Sequence, residues 1–209
     1  MRPAVPILLG LLLLSPAAAR AAEGYQVYES TAASINGEVL FVSDVAREAC
    51  FLRCAAMPGT KEEILPVRGA RDRLILDTLA LQEQRKLLLG TVDNVTLTGY
   101  AWEAESRMAA CSSHCKREIV PGETLEWIRR KLLLRDFYNR RVAVFVEVKD
   151  DDVRKELARR SSAPGNGAKL TEEQVRDEMR DARIATEIRN WQTRAASKSR
   201  LILSPMEDR

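Results

Sequence analysis

The sequence predicts a mostly α-helical protein with a small β component. Three observations carry that expectation. Long stretches such as ARDRLILDTLALQEQRKLLLG and TLEWIRRKLLLRDFYNRR place apolar residues at helical spacing. A short N-terminal stretch, SINGEVLF, holds an Asn-Gly turn signal between β-prone pieces. A few residues alternate as a strand does, in VAVFVEV and again in the terminal RLILS.

The elements follow in order. Residues 25–41 read as an extended entry segment turning at Asn36-Gly37. Ser43 is placed to cap a helix over DVAREACFLRCAA, which Pro58-Gly59 would end. Thr60 and Glu63 fit a capping box, yet Pro66 and Gly69 predict that any helix there is short. The helix from Ala70 is rich in leucine on a broad surface (Leu74, Leu76, Leu79, Leu81), so it should be buried on more than one side, with Gly90 ending it. Thr98 is the expected start of a continuous helix through GYAWEAESRMAACSSHCKRE, broken by VPGE. In the next helix Leu125, Ile128, Leu132 and Phe137 recur at a period close to 3.6. Val142, Val144, Val146 and Val148 then predict a strand. DDDVRKELARR returns to helix, and SSAPGNGAK has the composition of a linker. Thr171 and Gln174 form a capping box for a long helix whose stripe is Val175, Met179, Ala182, Ala185, Ile188 and Trp191. The terminal strand is expected to pair with VAVFVEV.

Residues 1–21 have the layout of a secretory signal peptide. Arg2 precedes an apolar run from Val5 to Leu14, and Ala19-Arg20-Ala21 offers a cleavage site. A retained membrane anchor is the alternative, but the run is short for about 30 Å of hydrocarbon. The expectation is a soluble mature protein in a periplasm or secreted, with no stable membrane insertion. The chain carries 33 Lys plus Arg and 30 Asp plus Glu; without Arg2 and Arg20 the balance is 31 to 30, a charge of about +1. That near-neutrality gives no reason to expect nucleic acid. RRKLLLRDFYNRR is locally basic, but its charges fit a solvated helix face.

Chemistry-bearing motifs are few. Asp151-Asp152 and Glu172-Glu173 fit the charge preference of helix N-termini. No nucleophile elbow, zincin, P-loop or dinucleotide fingerprint occurs, and His114 is the only histidine. Asn94-Val95-Thr96 is a formal glycosylation sequon of three residues. No catalytic residue, metal or cofactor is assigned. Trp102, Met108, Trp127 and Phe137 could line a cleft, although such residues at helical spacing ordinarily pack inward.

The four cysteines, Cys50, Cys54, Cys111 and Cys115, form two pairs with four-residue spacing. In an oxidising compartment they should be bridged. Residues i and i+4 on a helix have Cβ atoms about 5 to 6 Å apart, too far for an unstrained bridge within a pair. Antiparallel helices would join Cys50 to Cys115 and Cys54 to Cys111, and parallel helices would join Cys50 to Cys111 and Cys54 to Cys115. All three connectivities remain open on sequence alone. A zinc site with His114 as a ligand, or a redox centre, is the competing reading; neither has its usual spacing.

Three stretches together resemble the SurA-type periplasmic chaperones. The first is ASINGEVLFVSDV, through Ile35, Asn36, Gly37, Val39, Ser43, Asp44 and Val45. The second runs from 71 to 108, through Leu74, Ile75, Leu79, Gln82 and Gly90. The third runs from 125 to 157, through Val146, Val148, Asp150 and Val153. The resemblance implies a SurA-like helical chaperone core closed by a short strand pairing with the C-terminal strand. The implied layout is a core over 22–157, a linker at 158–170 where such proteins commonly insert a parvulin-type prolyl isomerase domain, and a helix and strand over 171–205 that pack back. There is no room for the isomerase, and its catalytic residues map to no position here. The function implied is non-enzymatic binding of unfolded or outer-membrane client polypeptides through an apolar groove. The alternative is a secreted structural or interaction protein that reuses the fold for one specific partner.

Overall fold

The computed structural model describes residues 29–55, 57, 64–111, 113–120, 122–162 and 171–206. The signal peptide, the Thr60/Glu63 capping box, Pro58-Gly59, Pro121 and most of the SSAPGNGAK segment lie outside them.

The hairpin comes first. β1 (Thr31–Ile35) and β2 (Glu38–Phe41) run antiparallel, joined by Asn36 and Gly37 with φ of 53° and 92°. Two successive residues with positive φ are what a tight hairpin turn needs, and Asn and Gly tolerate it best. Asn36 also ties the turn down. Its Nδ2 donates to Gln82 Oε1 at 2.8 Å, and its Oδ1 accepts from the Arg200 amide at 2.9 Å.

α1 (Val42–Cys54) follows directly. Its start differs from expectation. Ser43 lies inside the first turn, and the cap is supplied from within: the Phe41 amide donates to Asp44 Oδ2 at 2.8 Å. A carboxylate three residues in reaches back to a free N–H as well as a preceding hydroxyl reaches forward.

α2 (Val67–Leu87) starts three residues before Ala70. Pro66 sits just before the first turn, where its missing N–H costs nothing, and Gly69 is carried inside the helix. The helix ends at Leu88, not Gly90; Leu88 adopts φ 51°, ψ 33° and leaves its side chain in solvent. Gly90 is still required nearby. It has φ +84°, and a Cβ there would lie 2.7 Å from Asp136 Oδ2.

α3 (Asn94–Ala110) starts four residues before Thr98. Asp93 is the cap, accepting from the Val95 and Thr96 amides at 2.9 and 3.1 Å. The helix does not continue through CSSHC. Cys111 turns extended (φ −76°, ψ 173°), and a separate short helix α4 (Ser113–Glu118) follows. α5 (Glu123–Arg141) matches its periodicity, burying Trp127, Ile128, Leu132, Leu134 and Phe137.

The strand expected over VAVFVEV does not form. Ala143–Phe145 is a 3₁₀ turn, in which Val142, Phe145 and Val146 amides donate to Tyr138, Val142 and Ala143 carbonyls. Those local bonds leave few donors for a ladder. Only Val142 and Ala143 face the core, while Val144 and Phe145 stand in solvent at 66% and 75% exposure. Consequently β3 (Leu201–Leu203) finds a different partner. It pairs antiparallel with β1, giving the sheet order β2-β1-β3. The free edge of a well-anchored hairpin was the available template.

α6 (Asp150–Ser161) and α7 (Glu172–Ser197) form the last helical pair. The proposed linker therefore begins too early at 158, because 158–161 is helical. The α7 capping box is present: Gln174 N donates to Thr171 Oγ1 at 3.2 Å, and Thr171 N donates to Gln174 Oε1 at 2.9 Å.

Three apolar clusters hold the fold. Ile35, Leu40, Val45, Leu74 and Leu79 join the sheet to α1 and α2. Phe51, Leu97, Met108, Trp127 and Ile128 join α1, α3 and α5, with Cys115 of α4 among them. Leu81, Leu134 and Phe137 pack beneath Trp191 of α7. The α6–α7 pair itself buries only Val153 and Val175. It is held largely by ions: Arg183 to Asp152 and Arg176 to Asp150, both at 2.8 Å, and Arg160 to Glu178.

That balance predicts an acid-labile pair. Hydrogen bonds from Arg159 and Arg160 lower Glu156 to about 2, and a hydrogen bond from Arg183 lowers Asp152. A carboxyl depressed in the folded state contributes stability that is full above its unfolded value and is lost as pH falls through its folded value. NMR amide shifts of α6 should therefore move as pH falls from 4.5 toward 2, before those of α5. Movement of the α5 and α6 shifts together would show that the ion pairs do not govern the α6–α7 pair.

Candidate functional site

A surface trough runs along α7. One wall is the extended segment after the 3₁₀ turn. Two arginines of α7, seven residues and about two turns apart, fix that wall by its carbonyls: Arg183 Nη1 donates to Glu147 O at 2.8 Å, and Arg176 Nη1 donates to Val148 O at 3.4 Å. The other wall is the α7 face carrying Ala182, Glu187, Trp191 and Arg194.

Three adjoining depressions make up the trough, of about 420, 240 and 460 Å³. The first two share Phe145, Val146 and Glu187; the second and third share Arg141, Trp191 and Arg194. The third reaches Asn36 and Gln82 at the hairpin.

Trp191 is rigidly placed at its centre. Its ring meets Phe137 edge-on at 5.1 Å and Tyr138 at 5.8 Å, and Phe137 meets Tyr138 at 5.3 Å. Such T-shaped pairs are favoured by the ring quadrupoles. Tyr138 accepts from Gln192 Nε2 at 3.1 Å. Burial pushes its phenol up to about 12, against a smaller opposing effect of the Gln192 hydrogen bond, so it is neutral at physiological pH. Trp191 remains half-buried, with part of its surface left to the trough.

Of the four residues considered earlier for a cleft, none lines this trough. Met108, Trp127 and Phe137 are buried in the core, and Trp102 stands alone in solvent on α3. The strand-like alternation of VAVFVEV masks the trough in the sequence. A usable signal did exist: Glu187, Trp191 and Arg194 lie at i, i+4 and i+7, on one helix face.

The cysteines are bonded as Cys50–Cys115 and Cys54–Cys111, with Cα atoms 5.3 and 5.6 Å apart. They clamp α1 to α4 and to the end of α3. Cys54, Cys111 and Cys115 have sulfurs within 4.8 Å of one another, which is the closeness of two neighbouring bridges. Sulfur in a disulfide is not a thiolate and is no zinc ligand. His114 is exposed on α4.

A second polar feature lies in the interior. Lys131 Nζ is 2.7 Å from Glu48 Oε1 and 2.6 Å from Asp77 Oδ2. Trp127 Nε1 donates to Glu48 Oε2 at 2.9 Å, and Lys131 lies 5.4 Å from the Trp127 ring centroid. Burial alone would discharge Lys131; attraction by Asp77 and Glu48 outweighs it, and the lysine's pKa is raised. The cluster links α1, α2 and α5, and its Glu48 and Trp127 also border a small recess of about 180 Å³ with Arg47, Glu123 and Arg130.

No helix among the described residues is long and apolar enough to cross a membrane. No protein-family model matches the chain, and no curated protein matches it.

Proposed function

We propose that this protein is a non-enzymatic, chaperone-like binder of unfolded or extended polypeptides, acting in the periplasm or outside the cell, and that outer-membrane proteins are among its clients. The observation that carries the reading is the open trough along α7. Its lining is largely polar, with an apolar patch formed by Phe145 at 75% exposure beside a half-buried Trp191 and Val146. Exposed apolar surface arranged along a groove suits weak, reversible capture of extended segments. It requires no covalent step.

The C-terminal strand returning to the N-terminal hairpin resembles the closure of a SurA-type core, and the α6–α7 connection stands where such proteins carry an isomerase domain. The two disulfides suit an oxidising compartment.

The test is suppression of aggregation. Diluting several unrelated unfolded clients from denaturant, including an outer-membrane β-barrel, should give less light scattering with the protein present. Phe145→Ser, at an exposed site, should leave thermal unfolding nearly unchanged and weaken the protection. Failure to protect any client, together with tight binding of one folded partner, would replace this reading with the single-partner one. Prolyl isomerase turnover by the purified protein would overturn it as well.

A further inference from the structure

The trough is electrically polarised along its length. At one end stand Glu147 and Glu187, while the Arg183 guanidinium there is already engaged by Asp152 at 2.8 Å. At the other end stand Arg141, Arg194 and Lys198, and the one carboxylate there among the described residues, Glu83, is offset by Lys86 at 4.0 Å. None of Glu147, Glu187, Arg141, Arg194 and Lys198 forms an ion pair among the described residues. Trp191 lies between the two ends. Arg141 and Arg194 also sit in the last turns of α5 and α7, where cations complement the helix dipole.

We propose that the trough selects extended segments in which a large apolar residue is flanked by a cation on one side and a carboxylate on the other. The proposal rests on the polypeptide-binding reading above and specifies its substrate class. The cation would lie toward Glu147 and Glu187, the apolar side chain on Trp191, and the carboxylate toward Arg141, Arg194 and Lys198.

Glu187 and Arg194 are seven residues apart, roughly 10 Å along the axis at about 1.5 Å per residue. In an extended chain, residues i, i+2 and i+4 share one face and span about 13 Å. A Lys-x-Phe-x-Glu or Glu-x-Phe-x-Lys segment thus matches the trough within the reach of its flexible side chains. The whole floor from Ala182 to Ser199 is roughly 25 Å long, enough for about seven extended residues.

The experiment uses the whole protein and five end-capped, fluorophore-labelled peptides, read by fluorescence anisotropy. Two carry Lys and Glu around Phe in either order. One carries Lys on both sides, one Glu on both sides, and one Ser on both sides. The tighter mixed-charge peptide should bind about fivefold better than either like-charged peptide at low salt, and the margin should shrink at high salt. Glu187→Arg should transfer the preference to the peptide with two Glu. Arg141→Glu/Arg194→Glu should transfer it to the peptide with two Lys. These side chains make no ion pairs among the described residues, and far-UV circular dichroism checks that each variant folds. Equal binding of all five peptides overturns the polarised trough and leaves polypeptide binding standing. Binding of none, by folded protein, overturns both.

Discussion

Lys131→Ala is expected to cost about 3 to 5 kcal/mol of folding stability, the largest effect of any single substitution considered. Glu48 and Asp77 are 2% and 4% exposed, and Lys131 is their shared counter-ion. Removing it leaves two buried carboxylates without the cation they share. Trp127 Nε1 still serves one oxygen of Glu48, but a neutral donor offsets only part of a buried charge. The loss is the penalty of stranded charge, not the net worth of the cluster. A triple variant, Glu48→Gln, Asp77→Asn and Lys131→Met, should therefore recover most of the stability. The glutamine can still accept from Trp127, and no charge remains to be desolvated. Equilibrium denaturation of the single and triple variants measures both. An unchanged midpoint for Lys131→Ala would show that water reaches the cluster freely.

Removing both disulfides is expected to be comparably severe, and unequal in its two steps. Cys50–Cys115 spans 65 residues and Cys54–Cys111 spans 57. Either bridge alone closes a long loop, worth about 4 kcal/mol on the chain-entropy account. With one already in place, the second closes only a small ring between neighbouring segments, worth about 2 to 3 kcal/mol. Replacing one pair of cysteines by alanine should thus cost less than half of what replacing both pairs costs. Denaturation midpoints of the two single-pair variants and the cysteine-free protein test this. If the single-pair losses simply summed to the full loss, the shared-loop argument would fail. Clusters built on Phe51, Met108 and Trp127 lie against these bridges, so the cysteine-free protein should first loosen between α1 and α3.

Much of the helical layout was legible because periodicity is a local property. The α5 and α7 boundaries, the Thr171/Gln174 cap and the Asn36-Gly37 turn depend on neighbours within a few residues. The errors share a cause. Ser43, Thr98 and Gly90 were reasonable end signals, but Asp44, Asp93 and Leu88 perform those tasks. Several side chains near a helix end are chemically able to satisfy its free N–H and C=O groups, and the sequence does not rank them. The α7 stripe was real as a pattern but not as a core. Only Val175 is fully buried, and Met179, Ile188 and Trp191 are half-buried.

By itself the sequence determined the helix-rich composition of the fold, the hairpin turn, the long C-terminal helix and the spacing of the cysteines. Each is encoded by residues close together, where period, cap and turn chemistry act directly. Only the tertiary structure decided that VAVFVEV closes into a 3₁₀ turn, that β3 joins β1, and that CSSHC breaks between two helices. The same is true of the trough. Glu187, Trp191 and Arg194 are visible as a helix face in sequence, but what stands opposite them depends on α5 and the segment after it. Partner choice between distant segments is settled by which edges and faces remain uncovered once the rest has packed, and no local pattern carries that information.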